Sequence, residues 1–373
     1  MAETSPLLRV FHLQSDQFVE LQDFPDSLPP RGFIWVGISR HALEISTADL
    51  QAALQRWTGG QLVDLHLSDL LNTQLPSHFD YTSWYDLMVF RRLIASRTEA
   101  DSPATRADPA ESARQTLATL DTSPVGFAVF DRVLVSVHPV DCLVREHFAQ
   151  RLAQRGQVPD LRGSSRLPPS PADLMLRMVN HVVDGYLELR RQLTRQLGAL
   201  QEQLFNPHSH FSNWQMLLQS RNLLHALEDV CEDQRSAIQE WIDALAEWPQ
   251  PADRAAQREQ EVLRVRSRDV LEHIERVLTH VRRLEQSAEG AVQLHFSALG
   301  NRTNAIMRTL TVLTAIFLPL NLITGVFGMN FDALPLIHDA IGVWIAFGIM
   351  TAVGVGLGLF FWRKRYLGTH PTP

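Results

Sequence analysis

The 373-residue sequence contains only two cysteines, Cys142 and Cys231. The two cysteines lie far apart and form no Cys-x-x-Cys spacing, which argues against a disulfide framework and a thiolate zinc site. We expect both to fill apolar core positions. The formal net charge of −7 argues against a nucleic-acid-binding protein, which needs a basic surface.

Sequence signatures of enzymes are also missing. The chain has no Gly-rich phosphate loop, no nucleophile elbow and no paired catalytic carboxylates, so we predict no enzyme activity, no nucleotide and no cofactor. The first residues lack the long apolar region of a signal peptide, so we expect the amino-terminal part to stay in the cytoplasm. His208 and His210 fit a solvated turn better than a metal site, and His138 fits a core or hairpin position.

Residues 1–160 predict a cytoplasmic α/β domain. Apolar, β-rich runs predict strands at Phe33–Ser39 and residues 85–94, and a hairpin at residues 125–139. A helix is predicted to begin at Thr47, whose hydroxyl would cap it. Residues 97–113, rich in Ser, Ala, Asp and Pro, predict a loop.

Residues 161–305 predict a helical bundle followed by a stalk. We expect helices at residues 181–205 and 214–246, and a third that begins near residue 252 and meets no proline before Pro319. At 1.5 Å per residue this third helix would be roughly 100 Å long, far more than one bilayer. Its charged first part carries Leu and Val at heptad-like intervals, which predicts a stalk that continues into a membrane. Gly290 and Gly300 are its candidate soft points.

Residues 306–373 predict a membrane domain with two spans, at about residues 308–328 and 340–362, joined by an outer loop at residues 329–339. Each uncharged run can cross a hydrocarbon core of roughly 30 Å. Basic residues precede the first span and follow the second, and the loop has none, so both chain ends are predicted to be cytoplasmic. Five glycines of the second span predict close packing against a neighbouring helix: Gly342, Gly348, Gly354, Gly356 and Gly358.

One stripe of the first span is polar or small except at Met307 and Leu318, whereas its other faces carry Leu, Ile, Val and Phe. We call this stripe the polar seam; it consists of Asn304, Met307, Thr311, Thr314, Leu318, Asn321, Gly325 and Gly328. Small and hydroxylated residues can serve helix packing. Alternatively, neutral oxygens along such a stripe can line a water-filled pathway and hold a hydrated ion.

Four features together resemble the CorA/ZntB family of divalent metal cation transport channels. They are the segment NRTNAIM at residues 301–307, Pro319 within an apolar helix, the Gly-Met-Asn triplet at its end, and a second membrane helix with a basic tail. The resemblance implies a selectivity filter at Gly328, Met329 and Asn330, with metal contacts from Gly328 and Asn330. It implies pore-lining positions at Asn304, Met307, Leu310, Thr314, Leu318, Asn321 and Gly325. It also implies a funnel-shaped homopentamer in the cell inner membrane, in contact with lipids.

The chemistry of the seam favours a hard cation. No His, Cys, Asp or Glu occurs between Asn304 and Asn330, and neutral oxygens suit ions that keep their water, which favours Mg²⁺ with Co²⁺ and Ni²⁺ as further substrates. Asp332 and Asp339 in the outer loop would attract cations. His338 is the one feature that could favour zinc, although a lone loop histidine is more often simply solvated. A proton-coupled Zn²⁺ transporter and a non-conducting structural or signalling protein therefore stay open as alternatives.

Gating is less constrained by the sequence. The resemblance implies a regulatory carboxylate on the stalk, but Gln293 occupies the expected position. Leu310 and Leu318 could instead form apolar constrictions that stop ions by dewetting. Three acids could replace the missing carboxylate or be ordinary surface residues: Glu289, Asp69 and Asp86.

Overall fold

The computed structural model describes residues 7–14, 17–95, 120–139, 142–157, 167–186, 189–191, 193–195, 197–198, 214–249, 251–329 and 340–364. The chain forms two compact units, Met1–Glu289 and Gly290–Pro373. Several predicted features lie outside the described residues: the loop at 97–113, His208, His210, Asn330, Asp332, His338 and Asp339.

A mixed seven-stranded sheet dominates the first unit. The strands are β1 (Leu8–Leu13), β2 (Phe18–Leu21), β3 (Phe33–Ser39), β4 (His78–Tyr81), β5 (Asp86–Arg91), β6 (Ile94–Ala95), β7 (Leu120–Asp121), β8 (Pro124–Val129) and β9 (Val133–His138). The sheet order is β2-β1-β3-β9-β8-β5-β4, and β6 pairs with β7 separately. Within the seven-stranded sheet only the pairing of β3 with β9 is parallel.

Strand β3 lies in the interior of this sheet and has a nearly uninterrupted apolar sequence. All seven of its residues are buried, because both faces of the sheet are covered. Successive side chains alternate between the faces. Trp35 therefore joins one core cluster, whereas Ile34 and Val36 join the other.

The predicted hairpin at residues 125–139 is confirmed: β8 and β9 pair antiparallel, with Val129 opposite Leu134. The strand predicted at residues 85–94 is only partly correct. Its first part is β5, which ends at Arg91, and Ile94 belongs to the separate β6–β7 pair.

The helices are α1 (Arg40–Thr58), α2 (Asp64–Leu71), α3 (Leu143–Gln157), α4 (Pro171–Asp184), α5 (Trp214–Glu247), α6 (Arg254–Phe327) and α7 (Ala340–Arg363). The prediction that Thr47 caps a helix was wrong. Helix α1 begins directly after β3, and the Ser39 hydroxyl accepts the hydrogen bond of the Ala42 N–H at 3.2 Å. Ser46 has non-helical angles inside α1, so the helix is kinked where the sequence suggested a start.

Helices α5 and α6 match the predicted spans closely, and α6 runs unbroken through Gly290, Gly300 and Pro319. The heptad-like apolar residues of α6 are buried in the first unit: Leu263, Val270, Ile274, Val277, Val281 and Leu284. The division between the two units falls within this helix. The helix predicted at residues 181–205 differs, because α4 begins ten residues earlier with Ser170 as its cap and Pro171 in its first turn.

Buried polar groups fix the helices of the first unit to one another. The Asp173 carboxylate of α4 pairs with Arg177 at 2.8 Å and with Arg266 of α6 at 2.7 Å. The Trp241 indole N–H of α5 donates to the Ser267 hydroxyl of α6 at 2.8 Å. Removing a partner of the buried Asp173 carboxylate or of the buried Trp241 indole would leave a buried polar group unsatisfied, which is destabilising.

Three residues assigned to the core by the sequence are buried. Cys142 and Cys231 are buried and form no disulfide with each other, and burial raises the pKa of the Cys231 thiol to about 12. His138 is buried beside the Ser136 hydroxyl, 2.8 Å from its Nε2 atom. Burial, followed by the charge of Arg145, lowers the pKa of His138 to about 3, so its ring is neutral and structural.

Candidate functional site

The second unit contains the end of α6 and the whole of α7. Both helices are long and apolar enough to cross a membrane, judged by length and composition. Large apolar side chains stand exposed along them in the single chain, including Phe317, Leu318 and Trp344. An apolar surface of this extent requires lipid or a neighbouring protein surface to cover it.

Helix α7 covers one side of α6. Val312 of α6 and Ala346 of α7 are both buried, and a Cβ built on Gly354 would lie 3.8 Å from the Leu320 side chain. Gly354 thus meets a neighbour as predicted for the glycines of this span. In the single chain, Cβ atoms built on Gly348, Gly356 and Gly358 meet nothing within 4 Å.

The polar seam lies on the side of α6 that α7 leaves open. Adjacent residues of an α-helix are about 100° apart around its axis. Thr314 therefore lies about 160° from the buried Val312, and Leu318 lies about 160° from Leu320. Asn321, nine residues after Val312, lies on the opposite side. Nine candidate positions are exposed in the single chain; eight lie on α6 and Gly328 directly follows it. They are Asn304, Met307, Leu310, Thr311, Thr314, Leu318, Asn321, Gly325 and Gly328.

The threonines of the seam have fixed hydroxyl directions. The Thr311 hydroxyl donates to the Met307 carbonyl at 2.8 Å, and the Thr314 hydroxyl donates to the Leu310 carbonyl at 2.9 Å. A hydroxyl has one proton and two acceptor lone pairs. Both threonines therefore present oxygens that can only accept further hydrogen bonds.

The end of α6 leaves backbone oxygens available. The helix ends at Phe327, the Gly328 N–H donates to the Thr324 carbonyl at 3.0 Å, and the Met329 N–H donates to the Val326 carbonyl at 3.3 Å. The last carbonyls of a helix have no partner further along it. Gly328 and Met329 are exposed, so this end can offer carbonyl oxygens to a cation.

The acids considered for gating lie in three different surroundings. Glu289 is exposed on α6. Asp69 is partly buried, with its carboxylate 3.9 Å from the His78 Nε2 atom. Asp86 lies at the start of β5, where burial, followed by the charge of Asp131, raises its pKa to about 6. The structure does not bring the three together as one site.

The structure brings together one group of potential metal-ligating side chains that the sequence did not predict. His225 and Glu228 on α5 meet Glu285 on α6, with ligand atoms within 4.8 Å of one another. The spacing of His225 and Glu228 by three residues was a visible signal, but Glu285 joins them only through helix packing. Members of the group already have partners: His225 contacts Glu285 at 2.9 Å, and Arg282 pairs with Glu228 at 2.6 Å.

Comparison with known proteins identifies the family. Residues 51–365 match the family model described as "CorA-like Mg2+ transporter protein". The chain belongs to the CorA family. The resemblance inferred from the Gly-Met-Asn triplet and its surroundings is therefore confirmed at the level of the family, which is one of transport proteins rather than enzymes.

Two curated relatives match over short segments. The cobalt/magnesium transport protein CorA of Thermotoga maritima is 30% identical over 100 residues, which cover 27% of this chain and 28% of that protein. The putative metal ion transporter YfjQ of Bacillus subtilis is 46% identical over 66 residues, which cover 18% of this chain and 21% of that protein. The chain thus spans less than a third of the length of these relatives.

The fold match is much more extensive. The complete structure of the CorA magnesium transporter from Methanocaldococcus jannaschii aligns over 96% of this chain and 98% of that one, with a TM-score of 0.71 and 15% identity. At this identity the match shows the fold alone. It confirms the predicted order of an amino-terminal α/β domain, a long helix and two carboxy-terminal apolar helices.

Proposed function

We propose that this chain is the subunit of a divalent metal cation transport channel that conducts Mg²⁺ through a pore lined by α6. The observation that carries the proposal is the position of the polar seam. Its oxygens are exposed on faces of α6 turned away from Leu320, the residue that meets Gly354 of α7. A stripe that served only to pack α6 against α7 would face that helix.

Conduction requires several copies of the chain. Two membrane helices cannot enclose an aqueous path, so α6 of each copy would face a common axis and α7 would lie outside. Rings of identical chains follow from cyclic symmetry. We adopt the homopentamer that the family resemblance implies, with lipids around it, in the cell inner membrane and with both chain ends in the cytoplasm.

The seam suits a hydrated Mg²⁺ ion. Water molecules bound to a cation direct their protons outward, and Thr311 and Thr314 offer oxygens that only accept. Mg²⁺ gives up its first-shell water reluctantly, so such contacts bind the hydrated ion without stripping it. Co²⁺ and Ni²⁺ are proposed as further substrates.

The mouth of the pore would select the ion. We assign the filter to Gly328, Met329 and Asn330, with carbonyl and amide oxygens as the contacts. Asp332 and Asp339 would raise the local concentration of cations. Entry would be driven by the membrane potential, worth about 2.3 kcal/mol per charge per 100 mV.

Leu310 and Leu318 are proposed as the constriction. Both are large, apolar and exposed, with 55% and 69% of their surfaces accessible in the single chain. A ring of such side chains stops ions by dewetting. Gln293 on the stalk is exposed and uncharged, so we assign it no regulatory metal.

The experiment is a flux assay with the purified chain in liposomes, at a clamped potential, with and without a proton gradient. We expect Mg²⁺ uptake that follows voltage and is indifferent to the proton gradient. Zn²⁺ uptake that requires the proton gradient would establish the zinc alternative. Background flux for Mg²⁺, Co²⁺ and Zn²⁺ would establish the non-conducting alternative.

A further inference from the structure

A cavity of about 470 Å³ lies within the first unit, and its lining residues include none of the pore positions proposed on α6. Its wall is formed by the starts of β5, α4 and α6, the turn between β8 and β9, and the connection from α5 to α6. The volume falls within the range of roughly 300–1,000 Å³ that is typical of small-molecule sites. Its polar and aromatic lining residues include Trp84, Asp86, Asp131, Trp248, Glu259 and Gln260.

The wall is acidic. It carries the carboxylates of Asp86, Asp131 and Glu259, and its described residues include no Lys, Arg or His. A concave surface with charges of one sign concentrates ions of the opposite sign. Burial and the neighbouring Asp131 raise the pKa of Asp86 to about 6, and a bound cation would offset the cost of ionising it.

Gln260 supplies a donor that lacks an acceptor. Only 7% of this residue is exposed, and its Nε2 atom is buried with no hydrogen-bond partner. Buried donors in folded proteins are almost always paired. This atom has almost no accessible surface, so the Gln260 side chain must turn toward the cavity before an oxygen atom of a bound molecule can provide the missing acceptor. A metal ion would be repelled by the N–H group.

Two indole rings complete the wall. Trp84 lies against Gly60, where an added Cβ would come within 3.1 Å of the ring. Trp248 is held edge-on against the buried Trp241, with ring centroids 5.9 Å apart. Tryptophan faces attract organic cations more strongly than other aromatic side chains do.

We propose that this cavity binds a small organic ammonium ion that also carries an acceptor oxygen. The ammonium group would lie beside Asp86 and the indole rings, and the oxygen would accept from Gln260 Nε2. A bare divalent cation would leave the aromatic wall and the Gln260 donor unexplained. The proposal goes beyond transport and does not depend on it.

The test uses choline as the probe, with the detergent-solubilised full chain and isothermal titration calorimetry. We expect saturable binding of choline. The neutral carbon analogue 3,3-dimethylbutan-1-ol, which has the same shape, should bind at least about tenfold more weakly, because it lacks the charge that Asp86 pairs with. Tetramethylammonium, which lacks the oxygen, should also bind more weakly.

Variants of the chain locate the binding in this cavity. Asp86→Asn should weaken choline binding at least about tenfold, whereas Asp86→Glu should retain most of the affinity. Gln260→Leu should abolish the preference for choline over tetramethylammonium. Asp49→Asn, which removes an exposed acid of α1, is the matched control and should change nothing. Choline affinity should also fall as the pH is lowered from 7.5 to 5.5, because Asp86 becomes protonated. The other titratable groups of the described wall are Tyr85, Asp131 and Glu259.

Four results would overturn the proposal. They are no choline binding, equal binding of the neutral analogue, unchanged binding by a folded Asp86→Asn variant, and displacement of choline by MgCl₂ in the low millimolar range with no effect of NaCl at the same ionic strength. The comparison of choline with its analogue needs no variant, so a variant that fails to fold leaves the test intact.

Discussion

The side-chain hydroxyl of Thr314 donates its hydrogen bond to the backbone carbonyl oxygen of Leu310, one turn earlier in α6, at 2.9 Å. The proton is thereby directed into the helix and the oxygen lone pairs outward. The water shell of a cation presents protons to its surroundings. Thr314 is therefore oriented to accept from a hydrated cation, and it lies on the side of α6 that α7 leaves exposed.

The first prediction concerns this oxygen. Thr314→Val keeps the β-branched shape and replaces the hydroxyl by a methyl group. A hydrogen bond is worth roughly 1 kcal/mol net, so we expect Mg²⁺ flux in liposomes to fall about fivefold. The protein should assemble normally in size-exclusion chromatography.

The matched control is Thr309→Val. The Thr309 hydroxyl donates to the Ala305 carbonyl at 3.0 Å in the same manner, but five residues place it about 140° from Thr314 around the helix. Its flux should equal that of the unmodified protein. Equal losses in both variants would show that the hydroxyls matter only to the helix.

The second prediction concerns the filter. Asn330→Ala removes the amide oxygens that the proposal places at the pore mouth, so Mg²⁺ uptake should be lost or should no longer discriminate against Ca²⁺ and Na⁺. The measurement is uptake of each ion by liposomes containing the variant. Asn301→Ala changes an exposed Asn of α6 on the Val312 side and should have no effect. Unchanged selectivity in Asn330→Ala would reject the filter assignment.

The long helices could be predicted from the sequence because local signals agree with tertiary packing there. Between residue 254 and Pro319 no proline interrupts α6, and the heptad-like spacing of residues such as Leu263 and Val270 coincides with burial in the first unit. The polar seam could likewise be recognised, because a helical period alone decides which residues share a face.

Contacts between distant segments could not be predicted in this way. Helix α1 begins at Arg40 rather than Thr47 because Ser39, the last residue of β3, caps it; both residues are good caps, and only the position of β3 decides between them. The cavity likewise joins Asp86, Asp131 and Gln260 from three separate segments. No spacing in the sequence signals that these side chains meet.

The third prediction concerns the constriction. Leu318→Gly removes a large exposed side chain of the seam, which should wet the pore and raise the resting Mg²⁺ leak in the flux assay. Leu313→Gly is the control, since it is also exposed and costs the helix the same loss of about 1 kcal/mol. A leak that is equal in both variants, or absent from both, would place the gate elsewhere.

The fourth prediction concerns the dependence of stability on pH. The pKa of Asp86 is raised from 3.8 to about 6 in the folded protein, first by burial and then by Asp131. The folded state therefore holds this proton more tightly than the unfolded state. The stability that Asp86 contributes is present below about pH 4 and is lost as pH rises through 6, by an amount on the order of 3 kcal/mol.

Asp86→Asn removes this loss, because an amide cannot ionise. The measurement is the midpoint temperature of thermal unfolding of the first unit, followed by tryptophan fluorescence in detergent. Between pH 4.5 and pH 7.5 this temperature should fall further in the unmodified protein than in the variant. We expect a difference of roughly 5 °C. Asp49→Asn should retain the full dependence, since Asp49 is exposed on α1. If the unmodified protein and Asp86→Asn follow the same pH profile, then Asp86 ionises at no cost and the acidic cavity is more accessible to water than its packing indicates.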